Sequence, residues 1–342
     1  MHLIIGESFD EVYKKAAEEI LAHGVEVAPR GSKTLELSPA TIVITNPRKF
    51  LTVPTGRRGN HTFQLAEALW MLRGSNNLDE IAHYNANWRN FEDEDEPGIL
   101  NGAYGERLRN WNGEIDQFFE VYKKLKNDPF SRQASMVIFD PDRDNYIHEN
   151  GNYSKDIPCT NYFNFTVREG KLNMYVAMRS NDLHKGAIYD IPNFIMFQHV
   201  IAGWLGIDVG KYTHTAVSLH IYESDIEYFK NLIKSDFKTY EDIDYGSPLV
   251  SLDGFNGLMS KIALLEHASR TYKKAQIDAL LDVFMISIEN IENSWWRSVI
   301  ALIVMYNYRK LGANEGEFKA FLPYITNEYR SYALQLKTIG GK

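Results

Sequence analysis

Cysteine occurs once in the 342 residues, at Cys159. A single thiol excludes an intramolecular disulfide and suits a reducing compartment. Excess positive charge is also missing: 37 Lys and Arg stand against 45 Asp and Glu, for a net charge of −8. General affinity for nucleic-acid phosphates is therefore not expected. Long apolar runs are absent. VIALIVMY, near the C-terminus, is too short to span a bilayer. The segment MHLIIGESFDEVYKKAAEEILAHG lacks the basic flank and apolar core of a signal peptide. Repeats, low-complexity tracts and a disorder-prone composition are lacking too. What is present is 44% hydrophobic residues, 13% of the chain being aromatic, ample for a substantial core. The expectation is a soluble, cytoplasmic, globular protein.

Three blocks follow one another. The N-terminal segment reads as a short strand and an amphipathic helix, and TFQLAEALWMLRG carries apolar residues at helical spacing with a Gly to end it. The acidic run FEDEDEPG reads as a solvated loop. Residues 131–225 are strand-rich, with ASMVIFD, then YFNFTVREGKLNMYVAMRS, then a helix in IPNFIMFQHVIAGWLGI. From about residue 256 the periodicity is helical. We expect a catalytic domain over 1–230 and a mostly helical extension over 231–342 packed on the same domain.

A lone cysteine is ordinarily a small core residue. Cys159, however, heads one arm of a hairpin whose Glu169–Gly170 turn supplies positive φ. Counting back from that turn pairs Cys159 with Ser180 and sets it diagonal to Arg179. A guanidinium beside a thiol lowers its pKa, although strict alternation puts Arg179 on the opposite face unless the strand end bends.

These residues carry a signature. PCTNYFNFTVREGKLNMYVAMRSNDLHKGAIYDIPNF resembles the central block of the thymidylate synthase family, and HVIAGWLGIDVGKYTHTAVSLHIYESD its next block. RGSKT, EALWMLRGSNN, NGAYGERLRNW and FSRQ resemble the upstream motifs, in family order from about residue 20 to 225. The implied fold is α+β, a mixed, bent sheet covered by helices, in a homodimer. The implied co-substrate is 5,10-methylenetetrahydrofolate; no metal and no direct nucleic-acid contact is called for.

The resemblance also implies roles. Cys159 is the nucleophile that adds to C6 of a pyrimidine and makes C5 reactive toward an electrophilic carbon. Glu67 handles protons through water, and Tyr104 assists loss of the C5 proton. Arg30, Arg179 and Ser180 grip the nucleotide phosphate, with Arg132 reaching across from a second subunit. His220 and Tyr222 bind the sugar 3′-hydroxyl, while Asp182 and Trp88, with Glu67, serve the folate. Without the resemblance, Glu67 would read as a surface residue, Tyr104 as packing and HIY as ordinary strand.

The departures from the family choose the reaction. Asp190 stands where thymidylate synthases carry the asparagine that reads uracil. Cytosine offers a 4-amino donor and a bare N3 acceptor. A carboxylate accepts from the first and favours a proton on the second, and a carboxylic acid could donate to N3 directly. The implied substrate is a cytidylate, as in the family's dCMP hydroxymethylase branch; the competing reading makes Asp190 a helix cap before Pro192. Gln133 replaces the second partner arginine, with Lys33 a candidate to compensate. Thr160 and Asn164 replace a family His and Gln, and YALQLKTIGGK does not match the synthase closing segment. A site that admits water would yield 5-hydroxymethyl-dCMP and tetrahydrofolate. A CMP hydroxymethylase, a dCMP C5-methyltransferase and a non-catalytic binding or regulatory homologue remain open.

Overall fold

The computed structural model describes residues 2–50, 60–145, 153–234 and 248–336. Ten strands are present among them: β1 (His2–Gly6), β2 (Val25–Val27), β3 (Thr34–Leu37), β4 (Ala40–Ile44), β5 (Ser135–Val137), β6 (Thr160–Arg168), β7 (Lys171–Met178), β8 (Asn181–Asp182), β9 (Asp208–Ala216) and β10 (Leu219–Tyr222). Six form a mixed sheet in the order β1-β4-β9-β7-β6-β5, and four form a smaller sheet in the order β2-β3-β10-β8. The class is α+β, as expected.

Alternation along these strands builds two unlike faces. Ile4, Ile42, His214, Val176, Phe163 and Met136 lie side by side across the large sheet, and all are buried. One residue along, Leu3, Thr41, Thr215, Ala177, Tyr162 and Val137 form the opposite row, in which Leu3, Tyr162 and Val137 are exposed. Helix Ile188–Leu205 is buried on nearly every side, as an almost wholly apolar sequence requires. Its Phe194 and Phe197 pack against Phe163 with centroids 4.8 and 6.2 Å away, and Gln198 donates to the Leu172 carbonyl at 2.7 Å. The helix thereby fixes its first turn relative to β6 and β7.

The hairpin forms where its turn chemistry predicts. Glu169 and Gly170 both have positive φ, 53° and 71°, the pairing that matches strand twist. Tyr162 to Arg168 pair with Ala177 to Lys171 in the expected register, but a bulge between Thr160 and Tyr162 pairs Thr160 with Met178. Cys159 therefore meets Arg179 rather than Ser180, and Arg179 N–H donates to its carbonyl at 2.9 Å. The acidic run needs a second correction. Asp93 is buried, accepting from Ser154 Oγ at 2.5 Å and Lys155 N–H at 2.8 Å, because it ties down the approach to Cys159.

The chain divides into two compact units, Met1–Gly59 with Trp70–Thr239, and Asn60–Leu69 with Tyr240–Lys342. Helices Leu252–Thr271 and Ser294–Lys310 belong to the second. There Trp295 and Trp296 stack edge to face at 4.8 Å, Asn307 donates to Ser269 Oγ at 2.9 Å, and Tyr332 meets His61 edge-on at 4.8 Å. Residues 337–342, part of the segment compared with the synthase closing segment, lie outside the described residues. No helix among the described residues is long and apolar enough to cross a membrane.

Candidate active site

Pro158 is buried and Cys159 half-buried at the head of β6. Arg179, exposed at the end of β7, turns its guanidinium onto the loop before Cys159: Nε donates to the Pro158 carbonyl and Nη2 to the Ile157 carbonyl, each at 2.9 Å. Three hydrogen bonds from one arginine thus set the position of the thiol. Asp156 adds a fourth tie from the same loop. It accepts from Gly102 N–H at 2.7 Å, and a Cβ on Gly102 would stand 2.4 Å from the Asp156 carbonyl oxygen, so that segment needs glycine. The tie carries Tyr104 with it, whose hydroxyl accepts from Thr160 N–H at 3.3 Å. Sequence reasoning missed Asp156; its signal was a carboxylate just before Pro158-Cys159, opposite a Gly of the Asn101–Tyr104 segment.

The electrostatics correct one expectation. Burial pushes the Cys159 thiol up, Arg179 and Arg30 pull it down, and the charges of Asp190 and Asp156 push it up again; the net direction is upward. Sequence proximity to Arg179 promised the opposite. The reason is that a half-buried thiol loses hydration, while two carboxylates offset the two arginines. Burial also lifts Tyr104 well above the usual phenol range, with Cys159 and Asp190 adding to it.

Asp190 lies inside the first turn of Ile188–Leu205, with Ala187 rather than Asp190 at the cap position. Burial, with the charge of Asp182, pushes its pKa up to about 7 against the lowering effect of the nearby Asn181 amide. The capping reading therefore fails. Asp182 is instead the cap, accepting from His184 N–H at 2.8 Å at the start of the turn Leu183–Ala187. It pairs in register with His220 across β8 and β10, and burial raises its carboxyl while that histidine lowers it. His220 Nδ1 lies 3.3 Å from Ser218 Oγ, which donates to Glu36. Tyr222 packs edge-on against His220 at 5.4 Å.

Cys159, Arg179, Asp190, Tyr104 and Arg30 thus bear on one another, and Asp182, His220 and Tyr222 form an adjoining group. Ser180 is half-buried between Arg179 and β8. Arg30 is exposed with a left-handed backbone, φ 52°. Trp88 is half-buried, 6.1 Å from Trp70 and 5.8 Å from Phe91. Arg132 and Gln133 are exposed on the approach to β5. Lys33 is exposed, 3.5 Å from Glu26 and 3.7 Å from Glu223. Glu67 is buried on helix His61–Leu72 and belongs to the second unit.

Known proteins are similar to this chain in sequence. Over 236 residues the chain is 37% identical to the deoxyuridylate hydroxymethyltransferase of Bacillus phage SP01, covering 66% of this chain and 60% of that enzyme. It is 28% identical over 237 residues to the thymidylate synthase of Corynebacterium aurimucosum, covering 68% and 85%. A third relative, the thymidylate synthase of Listeria monocytogenes, is 31% identical over 180 residues, covering 46% and 53%. Residues 11–269 match the thymidylate synthase family, with Cys159, Arg179 and Asp190 at its centre, and the chain belongs to that family.

Proposed function

We propose that the protein is a one-carbon transferase that hydroxymethylates dCMP at C5, consuming 5,10-methylenetetrahydrofolate and water and releasing tetrahydrofolate. The observation that carries the reading is Asp190: a half-buried carboxyl near Cys159, close to Asn181 and not spent on capping, at the family's base-reading position. An amide there complements uracil; a carboxyl accepts from the 4-amino group of cytosine. A mismatched buried hydrogen bond discriminates by about 10⁴-fold.

The chemistry follows from the residues. Cys159 adds through sulfur to C6, C5 forms the new carbon–carbon bond, and the C5 proton leaves with the help of Tyr104, the role of handling protons through water being assigned to Glu67. Water supplies the hydroxyl, and expulsion of the thiolate restores the ring. Because a charge on Asp190 raises the Cys159 thiol, neutralising Asp190 favours the nucleophile. Bound folate supplies a carbon at the oxidation level of formaldehyde. Asp182, a half-buried carboxylate, suits the N–H donors of a pterin edge, and Trp88 offers aromatic surface. Arg30, Arg179 and Ser180 hold the phosphate, and His220 and Tyr222 the sugar. A second copy is proposed against the open row containing Leu3, Val137 and Tyr162, with Arg132 serving the neighbouring site.

The similarity to a deoxyuridylate hydroxymethyltransferase favours a second reading, hydroxymethylation of dUMP. A protonated Asp190 could donate to O4 and accept from N3–H. Mass spectrometry of the products from dCMP, CMP and dUMP with methylenetetrahydrofolate separates these readings. Hydroxymethyl product from dCMP is expected; product from dUMP alone, or a methyl product with dihydrofolate, overturns the proposal.

A further inference from the structure

The inner row of the large sheet is apolar except for His214, which is 1% exposed. Burying an imidazole among aliphatic neighbours is costly unless its nitrogens find partners. Both do. Nδ1 lies 3.0 Å from the hydroxyl of Tyr212, and Nε2 lies 3.1 Å from the Asn181 amide nitrogen. Burial pushes the ring's pKa down to about 3, so it is neutral, with one nitrogen donating and the other accepting. Asn181 is itself buried; its amide nitrogen also lies 3.1 Å from Met178 Sδ, while its Oδ1 has no hydrogen-bond partner among the described residues. That amide is near enough to Asp190 to lower its carboxyl. The two side chains crowd the space beside Gly186, where a Cβ would stand 2.5 Å from Asn181 Oδ1 and 3.3 Å from Asp190 Oδ2. The chain Tyr212–His214–Asn181 therefore runs from the core to the side of Asp190.

We propose that Asn181, held by His214 and Tyr212, is the specificity-positioning residue of this site: it engages one oxygen of Asp190 and leaves the other facing the pyrimidine as an acceptor, favouring the 4-amino group of cytosine over the 4-oxo group of uracil. When Asp190 carries a proton, Asn181 Oδ1 takes it, so it is not offered to O4. When Asp190 is ionised, the amide turns and its N–H₂ donates to the carboxylate, with His214 presenting the complementary nitrogen. In both states the outward oxygen accepts. The inference rests on the reading of Asp190 as the residue that meets the base.

The test compares kcat and KM for dCMP and dUMP, each tritiated at C5, in the wild type, His214→Leu and His214→Gln. In His214→Leu the dCMP-to-dUMP ratio of kcat/KM is expected to fall about 10-fold or more, as loss of a supporting partner does elsewhere. His214→Gln retains an amide oxygen for Asn181 and is expected to keep the ratio within about 3-fold of wild type. An unchanged ratio in His214→Leu overturns the positioning role. If that variant does not fold, Asn181→Ser decides by the same ratio, an unchanged value again overturning it. A wild type that prefers dUMP overturns the assignment of Asp190 itself, a result distinct from failure of the positioning role alone.

Discussion

Arg179 and Cys159 are joined through the main chain before any substrate arrives. The Arg179 N–H donates to the Cys159 carbonyl at 2.9 Å, while its guanidinium holds the carbonyls of Pro158 and Ile157. The same residue proposed to grip the phosphate therefore also positions the nucleophile, so nucleotide binding and thiol placement share one side chain.

Arg179→Lys keeps the charge but loses the fork geometry. Misplacing a reacting group by about 1 Å costs on the order of 100-fold, so kcat for dCMP is expected to fall by about that factor. Steady-state kinetics check it; a change confined to KM would mean that the fork matters for phosphate alone.

The Cys159 thiol is raised by burial and by the charge of Asp190. Alkylation by iodoacetamide is therefore expected to be slow at pH 7 and to quicken above the ordinary thiol range. In Asp190→Asn one raising charge is gone, and alkylation at a given pH is expected to be faster. Mass-resolved labelling rates measure both, and a slower Asp190→Asn would contradict the stated electrostatics.

Gly102 has no room for a side chain, because a Cβ would stand 2.4 Å from the Asp156 carbonyl oxygen. Gly102→Ala is expected to destabilise by about 1–3 kcal/mol, the usual cost of overpacking. It is also expected to lower kcat more than dCMP affinity, since Tyr104 moves with this segment. Urea unfolding and calorimetric titration with dCMP separate the two effects.

Buried carboxyls make stability pH-dependent. Burial pushes the Asp10 carboxyl up to about 7, so the folded chain keeps a proton that the unfolded chain releases at lower pH. Its contribution is fully present below about pH 4 and is lost as pH rises to about 7, on the order of 4 kcal/mol in all. Asp156, pushed to about 6, and Asp190, to about 7, act in the same direction. Asp10→Asn is expected to flatten the curve between about pH 4 and 7; a urea-midpoint profile parallel to wild type counts against it.

The Arg107 guanidinium makes a two-pronged pair with Asp144 at 2.6 and 2.7 Å, and both side chains are almost fully buried. Asp144→Ala strands a buried charge, with an expected cost of about 3–5 kcal/mol in urea unfolding. A loss below about 1 kcal/mol would place the pair with solvent-screened bridges.

By itself, the sequence determined the elements whose signals are local. The turn at Glu169–Gly170, the first strand and helix, and helix Ile188–Leu205 all follow from spacing and turn chemistry within a few residues. The motif order around Cys159, Arg179 and Asp190 was equally legible. Tertiary structure decided what depends on partners distant in the chain. The bulge before Tyr162 is an outcome of strand pairing, and it moved Cys159 from Ser180 to Arg179. The direction of the thiol shift required the burial of Cys159 and the nearness of Asp156 and Asp190, none of which spacing encodes. Asp190 in a helical sequence looks like a cap; only the packing of that helix over β7 and β9 set it near Asn181. His214 reads as one more residue in an alternating strand. Tyr212 on its own strand and Asn181 on β8 made it a link from the core toward Asp190, because a buried imidazole must find hydrogen-bond partners wherever the fold supplies them.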